Sequence, residues 1–247
     1  MAESAQERAG RAPRPVLGLL ATVAVVAALV LGLVVAPAEA IQGQAQRLMY
    51  VHVPAAWTAF CAFAVVLGCS VAVLMGRSRR WDAHAQAAAE LGVGMTALAI
   101  VEGSIWGHSV WGVWWTWDAR LVTTAVLLLL YLGYLGVRGL PGDSRRVSRR
   151  AAVVGVVSFV QVPVVHFSVL WWRTLHQPPT LVSPSSSPPI APMMLAALLV
   201  SVLAFMLAGA WFVRRRVAQL VDDSPAEEMA AVPGRASSPL IVTRGSS

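Results

Sequence analysis

Residues 121–150 read LVTTAVLLLLYLGYLGVRGLPGDSRRVSRR, an apolar run that is followed by five arginines. The run from 121 to 137 contains no charged residue. At about 1.5 Å per residue, a helix of this length crosses most of a hydrocarbon core about 30 Å thick. Clustered arginines beside such a run are typical of the cytoplasmic side of a membrane. This stretch therefore predicts a membrane-spanning helix whose C-terminal end lies inside.

Five further apolar blocks occur along the chain, which is 57% apolar and only 13% charged, with a mean hydropathy of +0.66. A soluble domain carries considerably more charge than this. The composition therefore predicts an all-α polytopic membrane protein with six transmembrane helices. The predicted spans are 16–36, 55–75, 85–105, 121–137, 151–170 and 190–213.

The third block is the weakest by hydropathy because it contains Glu90 and Glu102. The distribution of arginines supports it as a span. With six spans, one side of the membrane holds sixteen of the 19 basic residues, and the other side holds only Arg47, Arg120 and Arg173. This bias predicts that both termini are cytoplasmic. It also explains the net charge of +7 without nucleic-acid binding, which would need a basic face on a soluble domain.

Three regions are expected along the chain: a cytoplasmic N-terminal segment (1–15), a six-span domain (16–213) and a disordered cytoplasmic tail (214–247). The APAEA stretch at 36–40 resembles a signal-peptidase site. The apolar run before it is longer than the roughly 7–15 residues of a signal peptide, which favours an uncleaved span. Cys61 and Cys69 lie eight residues apart on one predicted helix, too far apart to form a disulfide.

The segment between the third and fourth spans is unusually rich in tryptophan. It reads WGHSVWGVWWTWDA from 106 to 119 and holds five of the ten tryptophans of the chain. An interfacial aromatic belt would scatter tryptophans over both membrane faces, and it explains one or two of them. The density here instead predicts a flat apolar surface for a planar ligand. The tryptophans concerned are Trp106, Trp111, Trp114, Trp115 and Trp117.

His52 and His176 lie in the two outside segments, 37–54 and 171–189, that flank the tryptophan segment in sequence. Haem iron has two axial positions, and a neutral imidazole can fill each of them. The pair predicts a non-covalent bis-histidine site for haem b. The alternative is that each histidine only forms hydrogen bonds to loop backbone. His108, inside the tryptophan segment, is a rival ligand by spacing alone.

Haem propionates require cationic or polar partners, and the three outside arginines are the candidates. Asp118 could hold Arg120 or orient a ligating imidazole. His166, near the outer end of the fifth span, is expected to form a hydrogen bond within the bundle, since ionisable groups at that depth usually have partners. His84 is predicted to lie on the cytoplasmic side, away from any such site.

These stretches resemble a known family. WGVWWTWD at 111–118 fits the WGxWWxWD motif of haem-handling membrane proteins. VHVPAAW at 51–57 and PVVHFSVLWWRTLHQ at 163–177 are similar to the haem exporter protein C family of cytochrome c maturation systems. The resemblance covers 16–213 and implies that His52 and His176 are the axial ligands and that a periplasmic tryptophan-rich segment contacts the haem. The chain departs from the family at Leu170, where an acidic residue is usual, and at His108.

The resemblance also implies a function without turnover. The family delivers haem to a periplasmic haem chaperone, beside ABC transporter subunits and a small single-span subunit of the bacterial cytoplasmic membrane. The chain itself has no lysine and so no P-loop. A haem lyase that attaches haem directly to CxxCH thiols is the alternative, although such lyases are longer and have further intramembrane histidines. A transport channel is a third possibility, disfavoured because the spans contain few polar residues.

Overall fold

A computed structural model of the chain describes residues 15–176 and 190–222, which form α-helices and no β-strand. A π-helical turn, Leu31–Val35, extends the first helix, and a 3-10 helix, Gln44–Leu48, leads into the second. The α-helices are α1 (Pro15–Val30), α2 (Met49–Leu74), α3 (Arg79–Trp111), α4 (Ala119–Arg138), α5 (Ser144–Phe159), α6 (Gln161–Trp171) and α7 (Pro192–Asp222).

Six helical segments in this part of the chain are long and apolar enough to cross a membrane, which confirms the six predicted spans, including the third. Helices α5 and α6 together form the fifth segment. They are separated at Val160, because Pro163 has no N–H to donate to the carbonyl of Phe159. Beside this break, the Gln161 side chain donates from Nε2 to the carbonyl of Thr123 on α4, at 2.9 Å.

Several helices extend beyond the limits that hydropathy predicted. Helix α2 begins at Met49, so that His52 lies in a helix and not in a loop, and α3 continues through the first part of the tryptophan segment. Gly112, at φ 75°, ends α3 by donating its N–H to the carbonyl of His108. Helix α7 continues to Asp222, so the beginning of the predicted disordered tail is helical. The rest of that tail lies outside the described residues.

Helices α2 and α3 form the centre of the bundle, and α1 packs mainly on α7. Small residues let α2 and α3 approach closely, as is usual between helices in membranes. At Gly92 of α3 there is room for the ring of Phe63, which stacks on Tyr131 of α4 with ring centroids 3.6 Å apart. Phe63 and Tyr131 belong to the hydrophobic core that α2, α3 and α4 share.

The end that contains the arginine clusters, here called the arginine end, carries two ion pairs between described residues. The guanidinium of Arg138 lies 2.5 Å from the carboxylate of Asp82, and that of Arg216 lies 2.7 Å from Glu90. Buried carboxylates require such partners because isolated charges are costly there. Glu90 is one of the two acids that weaken the third span by hydropathy. The other, Glu102, lies at the opposite end of the bundle. This end contains the tryptophan segment (106–119) and is here called the tryptophan end.

Candidate functional site

His52 lies near the N-terminus of α2 and packs against three residues of α3, Glu102, Gly103 and Trp106, here called the His52 pocket. Its ring lies directly over Gly103, where a Cβ atom would be 2.7 Å from His52 Cε1. Trp106 meets the ring edge-on, with centroids 5.8 Å apart at 76°. His52 Nδ1 lies 3.2 Å from Oε2 of Glu102. One face of α3 therefore holds the imidazole in place.

His176 lies in the irregular segment after α6 and has a similar environment. Trp111, the last residue of α3, meets its ring edge-on, with centroids 5.4 Å apart at 69°. Its Nδ1 lies 3.8 Å from Oδ1 of Asp118. Each predicted ligand thus has one tryptophan from α3 and one carboxylate on the Nδ1 side of its ring.

Asp118 connects the His176 segment to α4. Its side chain is only 4% exposed. One carboxylate oxygen accepts from the backbone N–H of Arg120 at 2.8 Å and caps α4, as aspartate commonly does at a helix start. The other oxygen accepts from the backbone N–H of Leu175 at 2.6 Å. A single carboxylate therefore places the residue before His176 relative to the tryptophan segment.

The two imidazoles can present their Nε2 atoms to a ligand. Among the described residues, neither Nδ1 has a hydrogen-bond partner: Glu102 approaches His52 away from the N–H direction, and Asp118 is too distant from His176. A carboxylate beside Nδ1 favours the tautomer that carries its proton there. In that tautomer the lone pair is on Nε2, which is the form that binds a metal.

Buried polar atoms without a hydrogen-bond partner are concentrated at the tryptophan end. Of the eleven such side-chain atoms in the described part of the chain, eight lie there. Each costs about 1–3 kcal/mol when it stays unpaired, so the concentration indicates a binding site for a polar group or ordered water. These atoms belong to Gln46, Tyr50, His52, Glu102, Thr116, Arg120 and His176.

The five tryptophans do not form one coplanar surface. Trp106, whose Nε1 donates to Gln42 at 3.0 Å, and Trp111 lie on α3 beside the histidines. The other three follow Gly112. Trp114 is 59% exposed and Trp117 is 86% exposed, and Trp115 meets Trp117 at 86°. The predicted flat surface is therefore divided into a helical pair at the histidines and a second group beside them, in which Trp114 and Trp117 are exposed and Trp115 is half-buried.

The three outside arginines differ in whether their guanidinium N–H donors already have hydrogen-bond partners. The guanidinium of Arg47 donates to Gln44 and to two backbone carbonyls at the end of the first span. Arg120 donates to the carbonyl of His166 at 3.4 Å, but its buried Nε has no partner among the described residues. Arg173 is exposed on the segment before His176. Arg120 is thus the partly buried arginine of the three whose Nε donor is available, in the described part of the chain, for an anionic group.

The other histidines have different environments. The His108 ring is exposed and stacks on Trp114, with centroids 4.1 Å apart. His166 is exposed and meets Phe167 edge-on, and its ring forms no hydrogen bond within the described residues; its backbone carbonyl accepts from Arg120. His84 lies at the arginine end, where its Nδ1 is 2.7 Å from the carbonyl of Arg80.

Glu102 and Gly103 were missed as site residues by the sequence reasoning, which treated Glu102 only as evidence against the third span. A signal was nevertheless present. An acidic residue one helical turn before Trp106, inside an apolar span, indicates a functional or paired group because a buried charge in a membrane is costly. Gly103 had no such signal, since its role depends on the neighbouring helix.

The pKa of His176 is lowered from 6.5 to about 4 by burial. The Asp118 carboxylate opposes this shift, and the nearby charges of Arg120 and His52 add to it. Since the folded pKa lies below the unfolded one, the neutral ring stabilises the fold above about pH 6.5. That contribution is lost as the pH falls through about 4. The imidazole is therefore neutral, and able to bind a metal, at ordinary pH.

We expect the His176 resonances to titrate with a midpoint near pH 4 in ¹⁵N-histidine NMR spectra of the ligand-free protein, assigned with His176→Gln. Asp118→Asn should lower the midpoint further, because it removes a charge that favours the imidazolium but can still cap α4. Arg120→Gln should raise it. A wild-type midpoint above pH 6 would contradict the burial of this ring.

Comparison with known proteins gives a consistent result. The family model described as Heme exporter protein C matches residues 3–231. A protein of that name from Bradyrhizobium diazoefficiens is 38% identical over 172 residues, which cover 70% of this chain and 65% of that protein. Its namesake from Haemophilus influenzae is 34% identical over 212 residues, covering 85% and 86%. The Escherichia coli K12 protein of the same name is 34% identical over 207 residues, covering 84% and 83%.

Proposed function

The chain belongs to the haem exporter protein C family, and we propose that it binds haem between His52 and His176 and delivers it for cytochrome c assembly. The haem is haem b, held without a covalent bond. The observation that supports this proposal is the matched environment of the two histidines. Each has a carboxylate on the Nδ1 side and a tryptophan edge against its ring, which leaves Nε2 for iron.

The other residues of the tryptophan end suit a haem cargo. Arg120 has a buried donor without a partner among the described residues, which fits a propionate. Trp106 and Trp111 provide apolar edges beside the ligands. The exposed Trp114 and Trp117, with Trp115 between them, can contact the macrocycle or the protein that receives it. In this proposal the chain binds, orients and releases haem, and it catalyses no bond formation.

The proposed location is the bacterial cytoplasmic membrane, with both termini in the cytoplasm and the tryptophan end at the periplasmic face. The excess of arginines at the opposite end of the bundle supports this orientation. Haem bound at the periplasmic face can pass directly to a periplasmic haem chaperone. ABC transporter subunits and a small single-span membrane subunit are the proposed membrane partners.

An absorption titration of the purified full-length protein with haem tests the proposal. We expect a six-coordinate, low-spin spectrum with one haem per chain, since two imidazoles fill both axial positions. Adding the purified periplasmic haem chaperone should then transfer haem out of this spectrum. Absence of haem binding, or a five-coordinate spectrum, would contradict the bis-histidine site.

The same preparation distinguishes delivery from the lyase alternative. His166, the histidine that lies within the spans predicted by hydropathy and could serve as a lyase-like ligand, is exposed on α6. Incubating the haem-loaded protein with a CxxCH peptide should therefore yield no thioether-linked haem. Covalent attachment without any partner would favour the lyase instead.

A further inference from the structure

Glu102 is a buried acidic residue. Haem binding by the two histidines does not by itself explain why it is there. It is 7% exposed, and neither of its carboxylate oxygens has a hydrogen bond among the described residues. The other acid of the third span, Glu90, has Arg216 as its partner. In the described part of the chain, the basic group within ion-pair distance of Glu102 is His52.

We infer that Glu102 is the positioning residue for His52: its carboxylate accepts a hydrogen bond from Nδ1–H when Nε2 binds iron, and so sets the tautomer and the donor strength of this ligand. The inference rests on the proposed function. The two atoms concerned are already 3.2 Å apart, and both are buried with no other partner in 15–176 and 190–222, so only the direction of approach must change. A small rotation of the ring supplies that change.

The His52 pocket restricts how the ring can move. Gly103 lets the imidazole lie directly against the backbone of α3. Trp106, about one helical turn further along α3, limits the tilt of the ring with its edge. Glu102, adjacent to Gly103 on the same helix, then faces Nδ1 rather than Nε2. A ring held on these sides presents Nε2 in one direction, which is what a metal-binding imidazole requires.

The two ligands are not equivalent in this respect. Asp118 uses its oxygens to cap α4 and to bind the N–H of Leu175, so its role is shared between folding and His176. Glu102 has no such backbone bond in the described residues. Its carboxylate is therefore available to His52, and its loss should affect the ligand more than the fold.

The test is a comparison of Glu102→Gln with Glu90→Gln, a matched change on the same helix at the arginine end. For Glu102→Gln we expect haem affinity to fall about 10- to 100-fold, the usual effect of losing a partner of a metal-bound histidine. The midpoint potential of the bound haem should rise, because a less basic imidazole stabilises ferric iron less. The six-coordinate spectrum should persist. Glu90→Gln should leave the affinity and the potential unchanged.

A second measurement reads the tautomer of His52 in the wild-type protein itself, and a variant serves only to assign the signal. The ¹⁵N chemical shifts of His52 in the wild-type protein, assigned with His52→Gln, should show a proton on Nδ1 and none on Nε2. A proton on Nε2 would overturn the inference. The inference would also be overturned if the wild-type protein gives the six-coordinate spectrum and Glu102→Gln changes neither the haem affinity nor the midpoint potential. That result would leave the proposed function intact. A wild-type protein without a bis-histidine spectrum would instead overturn the function and, with it, the role of Glu102.

Discussion

His52→Ala and His176→Ala are each expected to lose the six-coordinate, low-spin haem spectrum. Each change removes one axial nitrogen, and water or an open position at the iron replaces it. The affinity should fall by more than about 100-fold, since loss of a hydrogen-bond partner of a ligand already costs about 10- to 100-fold. Haem titrations followed by absorption spectroscopy measure both effects in the same sample.

Two other histidines provide the comparison for this prediction. His84→Ala changes a ring at the arginine end, hydrogen-bonded to backbone, and should leave the haem spectrum unchanged. His108→Ala tests the rival ligand, whose ring stacks on Trp114. Wild-type spectra in both His52→Ala and His176→Ala, with a loss in His108→Ala, would overturn the ligand assignment.

Gly103→Ala should disable the site without removing any ligand. The added methyl group would lie 2.7 Å from Cε1 and 3.1 Å from Nδ1 of His52, so the imidazole must leave its position on α3. The displaced ring can no longer place Nε2 beside the position set by His176. We therefore expect a loss of haem affinity of the same order as in His52→Ala, about 100-fold.

The control for this variant is Gly94→Ala. Gly94 lies on the same helix, and a Cβ atom there would meet nothing within 4 Å. Replacing glycine by alanine inside a helix is otherwise favourable by about 1 kcal/mol, so neither variant should lower the thermal unfolding temperature through helix propensity. Equal haem affinity in Gly103→Ala and wild type would show that the ring does not need this position for binding.

Together, these variants separate steric from electronic effects in the His52 pocket. Gly103→Ala moves the ring and should remove the low-spin spectrum, whereas Glu102→Gln leaves the ring in place and should shift the potential of the bound haem. A pocket that only fills space would respond to the first change and not to the second.

The six spans could be predicted from the sequence because a bilayer requires about 20 consecutive apolar residues in each helix, and arginines mark one side. The residues at which the helices begin and end could not be predicted in this way. Helices continue into the interfacial layers, where polar residues are tolerated, so hydropathy locates only the apolar middle of each span. His52 was consequently assigned to a loop, although it lies within α2.

The sequence by itself determined the fold class and the third span, and it singled out the two histidines and the tryptophan segment as candidates for the site. It could do so because composition and local motifs are properties of consecutive residues. Only the tertiary structure decided which groups surround each histidine. Glu102 and Gly103 reach His52 across about fifty residues of chain, and Asp118 reaches the His176 segment across a similar interval. Such contacts depend on which face each helix turns towards its neighbour, and that orientation is set by the packing of the whole bundle.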